Sequence, residues 1–141
     1  MWIANFSMEQ IKNGEHFDVS WQPTILIQIK DPDLETFVVS PQQDLFKEVH
    51  RFSFWDCETE DIGLTDMDGN KIAEILKNAQ KNNYNVMVHC HAGICRSGAV
   101  VEAGLLIGFK LPEDAFINYR VPNRLVLKKI RKHLGFSFSW E

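Results

Sequence analysis

Residues 86–97 read Val-Met-Val-His-Cys-His-Ala-Gly-Ile-Cys-Arg-Ser, and the fold turns on them. An apolar strand runs into His89 and Cys90. A loop, His91-Ala92-Gly93-Ile94-Cys95, then leads to Arg96, Ser97 and a helix. A strand handed to a helix through a short glycine-containing loop gathers backbone N–H groups that face an anion. Thiols at such places lose their protons readily, because helix termini and guanidinium groups lower a cysteine pKa from ~8.5 to roughly 3.5–7.5. Arg96 adds a planar fork of donors that holds two phosphate oxygens at once. The implied chemistry is attack of a thiolate on a bound phosphoryl group.

Outward from this segment, strands alternate with helices. Trp2 to Ala4 reads as a short edge strand, and Ser7 with Gln10 as a capping box opening a helix that ends near Gly14. Thr24 to Ile29 is a β-branched apolar run, hence a buried strand, broken by Asp31-Pro32-Asp33. Thr36 to Val39 reads as a further strand, and Ser40-Pro41 as the start of a helix with proline in its first turn. Val49 to Trp55 is a strand ending at Asp56. Thr65 and Asp68 cap a helix carrying Ile72, Ile75, Leu76 and Ala79 at helical spacing, which Asn82-Asn83 ends.

Asn85 to His89 is the strand before Cys90. The helix after Ser97 is apolar on nearly every face, so it is buried rather than amphipathic, and Gly108 caps its end. Helices are predicted from Pro112 to about Tyr119 and from Pro122 to His133. The expected architecture is α/β: a central, mainly parallel sheet flanked by helices, in one domain over residues 1–141. Ligands bind such sheets beyond the carboxyl ends of strands, where Cys90 falls.

Composition narrows the function. A hydrophobic fraction of 45% suits a globular chain, and no run approaches the ~20 apolar residues of a membrane span. The start, Met1-Trp2-Ile3-Ala4-Asn5, lacks a signal-peptide pattern, and three cysteines without framework spacing suit a reducing, cytoplasmic setting. With a net charge of −4, no global basic field recruits nucleic acid. Arg120, Arg124, Lys128, Lys129, Arg131 and Lys132 form a local basic run. It reads either as a solvated helix face, the favoured sense, or as a device that steers an anionic substrate.

A Cys-x5-Arg spacing alone is weak, since composition supplies one by chance in about one such chain in ten. Strand, Gly93, Ser97 and helix give it weight. With them, His89-Cys90-His91-Ala92-Gly93-Ile94-Cys95-Arg96-Ser97 resembles the signature of the cysteine-dependent protein phosphatases: His-Cys, five residues, then Arg-Ser or Arg-Thr. The nearest resemblance is to the small dual-specificity type of bacteria and their viruses, and it runs from about Val49 to about Leu134.

The resemblance implies Cys90 as nucleophile through a phosphocysteine intermediate. Residues 91–96 then bind phosphate, with Ser97 donating to the sulfur. Ser97 reads equally as a helix N-cap. His89 takes a supporting place behind Cys90, and His91 either touches substrate or is solvated. The general acid of the family follows a strand upstream, which selects Asp56, with Asp61 as runner-up and Glu58 and Glu60 behind. Asn123, in Pro122-Asn123, supports the loop or begins a helix. Cys57 is a possible redox partner of Cys90 through a reversible disulfide, a role that suits Cys95 less well.

The implied partners are a phosphorylated protein or peptide substrate and phosphate- or sulfate-like anions. No cofactor, metal, nucleic acid or membrane is expected, and the chain is expected to be a monomer. Competing readings are a phosphatase of phosphoinositides, nucleotides or RNA 5′-phosphates, a sulfurtransferase, a metal module using His89, Cys90, His91 and Cys95, and an inactive phosphopeptide-binding module.

Overall fold

The computed structural model describes residues 1–59, 61–114 and 119–136. Among them, strands β1 (Ile3–Ser7), β2 (Thr24–Lys30), β3 (Glu48–Ser53) and β4 (Asn85–Cys90) form one sheet in the order β1-β4-β2-β3. Every pairing is parallel. Helices are α1 (Met8–Asn13), α2 (Asp66–Asn82), α3 (Arg96–Leu106) and α4 (Arg124–His133). The expected α/β architecture with a parallel sheet is what the chain adopts. No helix of the described residues is long and apolar enough to cross a membrane.

Alternation along the strands divides the core. Val86, Val88 and Cys90 of β4, with Ile25, Ile27 and Ile29 of β2, pack with residues of α2, α3 and α4 on one face. Met87 and Leu26 pack with Phe6, Ile11 and Phe46 on the other. Strands covered on both faces read as continuous apolar runs, which is why β2 and β4 are legible in sequence. Ile72, Leu76 and Ala79 of α2 are fully buried. Burying Ile72 or Leu76 contributes roughly 1.5–3 kcal/mol.

The caps form largely as the residues dictate. Ser7 accepts from the Gln10 N–H while the Gln10 side chain accepts from the Ser7 N–H, a reciprocal capping box, and Gly14 closes α1 in the left-handed region. Thr65 caps α2, and Asn83, at φ 59°, ends it. The polar C-terminal run is stitched to the body. Lys129 donates to the Leu64 carbonyl at 2.8 Å, and Lys132 and His133 meet Asp66 at 3.6 and 3.1 Å. Arg131 is buried. Lys129, Lys132 and His133 thus tie α4 to the start of α2.

Several expected elements differ. Thr36 to Val39 is not a strand: it crosses a face of the sheet, where the Val38 carbonyl accepts from Gln28 Nε2 at 2.8 Å and the Phe37 ring lies under Lys30 and Arg51. Side-chain partners on that face replace a sheet ladder. The helix expected at Ser40-Pro41 is only a 3-10 turn over Gln43–Leu45, because Lys47 N already bonds the Thr24 carbonyl and the chain passes directly into β3. β1 continues past Ala4 to Ser7, since β4 offers it a full partner register. β3 stops at Ser53, so Phe54 and Trp55 belong to the following loop. Pro122 lies before α4 rather than in its first turn: Asn123 is the N-cap. Glu113 and Asp114 sit in a turn, and the remainder of the helix expected to Tyr119 falls on residues 115–118, outside the described residues.

Candidate active site

A parallel sheet puts the carboxyl ends of all its strands on one edge. The residues that follow β1, β2, β3 and β4 therefore meet, and β4 lies between β1 and β2, where the crossing connections open a crevice. A cleft of about 460 Å³ lies there, walled by Asp31, Trp55, Asp56, Cys57 and Ile62 and floored by Cys90, His91, Ala92, Cys95 and Arg96. Cys90 ends β4, and Arg96 begins α3.

The loop between them is held from outside. Met8 N donates to the His91 carbonyl at 3.1 Å, Asn5 Nδ2 to that of Gly93 at 2.7 Å, Val121 N to that of Ile94 at 3.3 Å, and Asn123 N to that of Cys95 at 2.9 Å. With no cis peptide bonds, each carbonyl so held turns the next N–H the opposite way. The amides of Ala92, Ile94, Cys95 and Arg96 thus face away from the scaffold, as an anion cradle requires. Gly93 makes the clamp possible: its φ is +77°, and a Cβ there would lie 2.4 Å from the Phe6 carbonyl carbon and 2.5 Å from Ser7 N.

Cys90 is 2% exposed, and its Sγ lies 3.1 Å from Ser97 Oγ. Ser97 is fully buried within the first turn of α3; the residue at the N-cap position is Cys95. That leaves the Ser97 hydroxyl for the sulfur. Arg96, 3% exposed, donates from Nη1 to the Phe54 carbonyl at 2.8 Å and pairs through the same nitrogen with Asp31 Oδ1 at 2.6 Å. Its Nε is buried with no partner among the described residues. Nε and Nη2 share one edge of the guanidinium, the edge that meets a phosphate through two parallel bonds. Asp31 and Phe54 fix the plane of the group by its other end.

Asp56 lines the same cleft. Asn123 Nδ2 donates to Asp56 Oδ1 at 2.8 Å and to the Cys57 carbonyl at 3.1 Å, while Asn123 Oδ1 accepts from Val126 N to cap α4. One side chain ties the acid, the loop before α2 and α4 together. Asp61 is exposed and does not line the cleft, and Glu58 accepts from Arg124 N. Cys57 and Cys95 are free thiols on the cleft wall; Cys57 Sγ contacts the Thr59 carbonyl at 3.7 Å. Burial and the neighbouring Asp56 charge raise the Cys95 pKa. Of the loop side chains, that of His91 is exposed at the cleft, and Ile94 is half-buried.

Behind Cys90, the sheet register sets His89, Gln28 and Arg51 side by side across β4, β2 and β3. Gln28, fully buried, gives Nε2 protons to the Val38 carbonyl and to His89 Nε2 at 3.1 Å, and its Oε1 accepts from Arg51 Nε at 3.0 Å. An amide nitrogen only donates, so His89 Nε2 is the acceptor, and the proton sits on Nδ1, 3.3 Å from the Cys90 carbonyl. Burial, aided by the Arg96 charge, pushes the His89 pKa down to about 4. A neutral ring with both nitrogens engaged has no lone pair left for a metal.

Asp31, Asn5 and Gln28 are absent from the sequence-derived site. For Asp31 a signal existed: it is the first residue beyond the carboxyl end of a central parallel strand.

No protein-family model matches the chain, and no curated protein matches its sequence. Among solved structures, the human tyrosine phosphatase-like serine/threonine/tyrosine-interacting protein aligns over 93% of this chain and 89% of its own, with a TM-score of 0.63 and 18% identity. The chain has a tyrosine-phosphatase-like fold. Tk-PTP in its active form is a further match, at 16% identity over 93% of this chain and 77% of that one, with a TM-score of 0.47. In the tyrosine-phosphatase-like fold of this chain, the sheet's carboxyl edge carries the Cys90–Arg96 loop.

Proposed function

We propose that the chain is a phosphomonoesterase of the protein tyrosine or dual-specificity phosphatase kind. The observation that carries this reading is the unpartnered Nε edge of a buried Arg96 in one cleft with Cys90 and Asp56. In the first step the Cys90 thiolate attacks phosphorus; an S–P bond forms, the P–O bond breaks, and protonated Asp56 gives its proton to the departing oxygen. The loop amides and Arg96 hold the three non-bridging oxygens through the in-line transfer. In the second step Asp56 takes a proton from water, the hydroxyl attacks phosphorus, and the S–P bond breaks. Ser97 donates to the sulfur as it leaves. Inorganic phosphate departs and Asp56 is protonated again.

The human neighbour is named an interacting protein, and a binding-only role would use the same cradle. It would have no use for an acid in the same cleft or a hydroxyl on the sulfur, so Asp56 and Ser97 favour turnover. The test is hydrolysis of an aryl phosphate by wild type, Cys90→Ser and Asp56→Asn. Cys90→Ser is expected to abolish turnover, and Asp56→Asn to lower it by about 10²–10⁴-fold for a poor leaving group. Activity that survives Cys90→Ser would remove the mechanism.

A further inference from the structure

The loops that wall the cleft are rich in acidic residues, although the group at its floor is built to take an anion. Asp31 and Asp56 line the cleft directly. The two loops that supply its walls carry Asp33 and Glu35 beyond Asp31, and Glu58 and Asp61 beyond Asp56, all four exposed. The cations nearby are largely committed. Arg96 pairs with Asp31, and Lys30 Nζ donates to the Leu34 carbonyl at 2.7 Å. Arg124, whose backbone N–H takes Glu58 Oε2, is an exposed cation beside them. Between the acids stand two apolar side chains, Trp55 at 37% and Ile62 at 56% exposed. Both line the cleft, where the Trp55 indole offers a flat face and Ile62 an aliphatic one to an aromatic ring.

The buried, unpartnered Arg96 Nε calls for one phosphoryl group at the floor. The acidic loops beside the cleft disfavour any more negative charge around that group, because like charges repel and opposite ones are drawn in, an effect that salt screens at exposed positions. Resting on the phosphatase reading above, we propose that the substrate is a phosphotyrosine set among lysines or arginines. The phenyl ring passes between Trp55 and Ile62, and flanking cations meet Asp33 and Glu35 on one side and Glu58 on the other. Phosphoinositides, polyphosphates and acidic phosphopeptides are disfavoured by the same field.

The test uses two phosphotyrosine peptides that differ only in flanking residues, lysine in one and glutamate in the other, with p-nitrophenyl phosphate as a substrate without flanks. kcat/KM is measured on wild type, and Kd on the Cys90→Ser protein. At low salt the lysine peptide is expected to be favoured by about tenfold or more in both quantities, and this ratio to shrink towards unity at ~0.5 M salt, where screening shortens the Debye length well below 10 Å. Asp33→Asn with Glu35→Gln is expected to shrink it likewise while p-nitrophenyl phosphate turnover stays at the wild-type level. Equal or better handling of the glutamate peptide overturns the proposal and leaves the phosphatase reading standing. Preferential binding of the lysine peptide without turnover of any substrate overturns that reading and upholds the charge preference.

Discussion

His89 shows how a single buried side chain bears on Cys90. Gln28 presents a donor to Nε2, so the ring is neutral, with its proton on Nδ1 directed at the Cys90 carbonyl. The prediction is a 15N spectrum of the Nδ1-protonated tautomer at neutral pH, with a titration midpoint near 4. Replacing Gln28 by glutamate turns that donor into an acceptor and is expected to raise the midpoint by more than one unit; an unchanged midpoint would contradict the assignment. The same shift has a consequence for stability. The unfolded histidine, with its pKa near 6.5, takes up a proton before the folded one does, so acidification favours unfolding. This contribution is fully in place above pH ~6.5 and is lost as pH falls towards 4, a change of about 3 kcal/mol. Urea unfolding at pH 7 and pH 4.5 should show a steeper loss in wild type than in His89→Gln. Sequence placed His89 in a supporting position but gave no sign of Gln28, because a glutamine in an apolar run has no pattern of its own. Only the register sets it beside β4.

At the scale of elements, Asn123 joins the cap of α4 to Asp56 in the cleft. Removing a side-chain cap of this kind costs about 1 kcal/mol of stability. Loss of the tether should act on chemistry separately. Asn123→Ala is predicted to slow hydrolysis of phenyl phosphate, whose leaving group needs the Asp56 proton, by about tenfold or more, yet to slow p-nitrophenyl phosphate much less. Equal losses for the two would mean a merely structural role. The pair Pro122-Asn123 was visible in sequence, with two readings open for its asparagine. In the structure its Oδ1 caps α4 and its Nδ2 holds Asp56 and the Cys57 carbonyl, while its contact with the Cys90–Arg96 loop is the backbone N–H on the Cys95 carbonyl. Ser97 went the other way: its expected alternative as N-cap gives way to Cys95, so the hydroxyl faces sulfur. Thr36 to Val39 and Ser40-Pro41 misled because their partners lie on distant strands, and local propensity does not report a segment held by Gln28, Lys30 and Arg51 from across the sheet.

For the whole molecule, the parallel sheet is the device that assembles the cleft. Four strands of one direction deliver Met8, Asp31, Asp56 and Cys90 to a single edge from positions spread over most of the chain. The alternation of buried strands and capped helices was enough to read that architecture. The loop beginning at Cys90 was legible because its residues adjoin in sequence. Asp31 and Asn5 were not, because what they do depends on a strand order, β1-β4-β2-β3, that sequence periodicity does not encode. The proposed turnover rests on one covalent event at the floor of the cleft. Acid quench of wild type during turnover of an aryl phosphate, followed by peptide mass mapping, is predicted to find a phosphoryl group on the peptide containing Cys90 and none in the Cys90→Ser protein. Turnover with no adduct on Cys90, or an adduct on another residue, would contradict it.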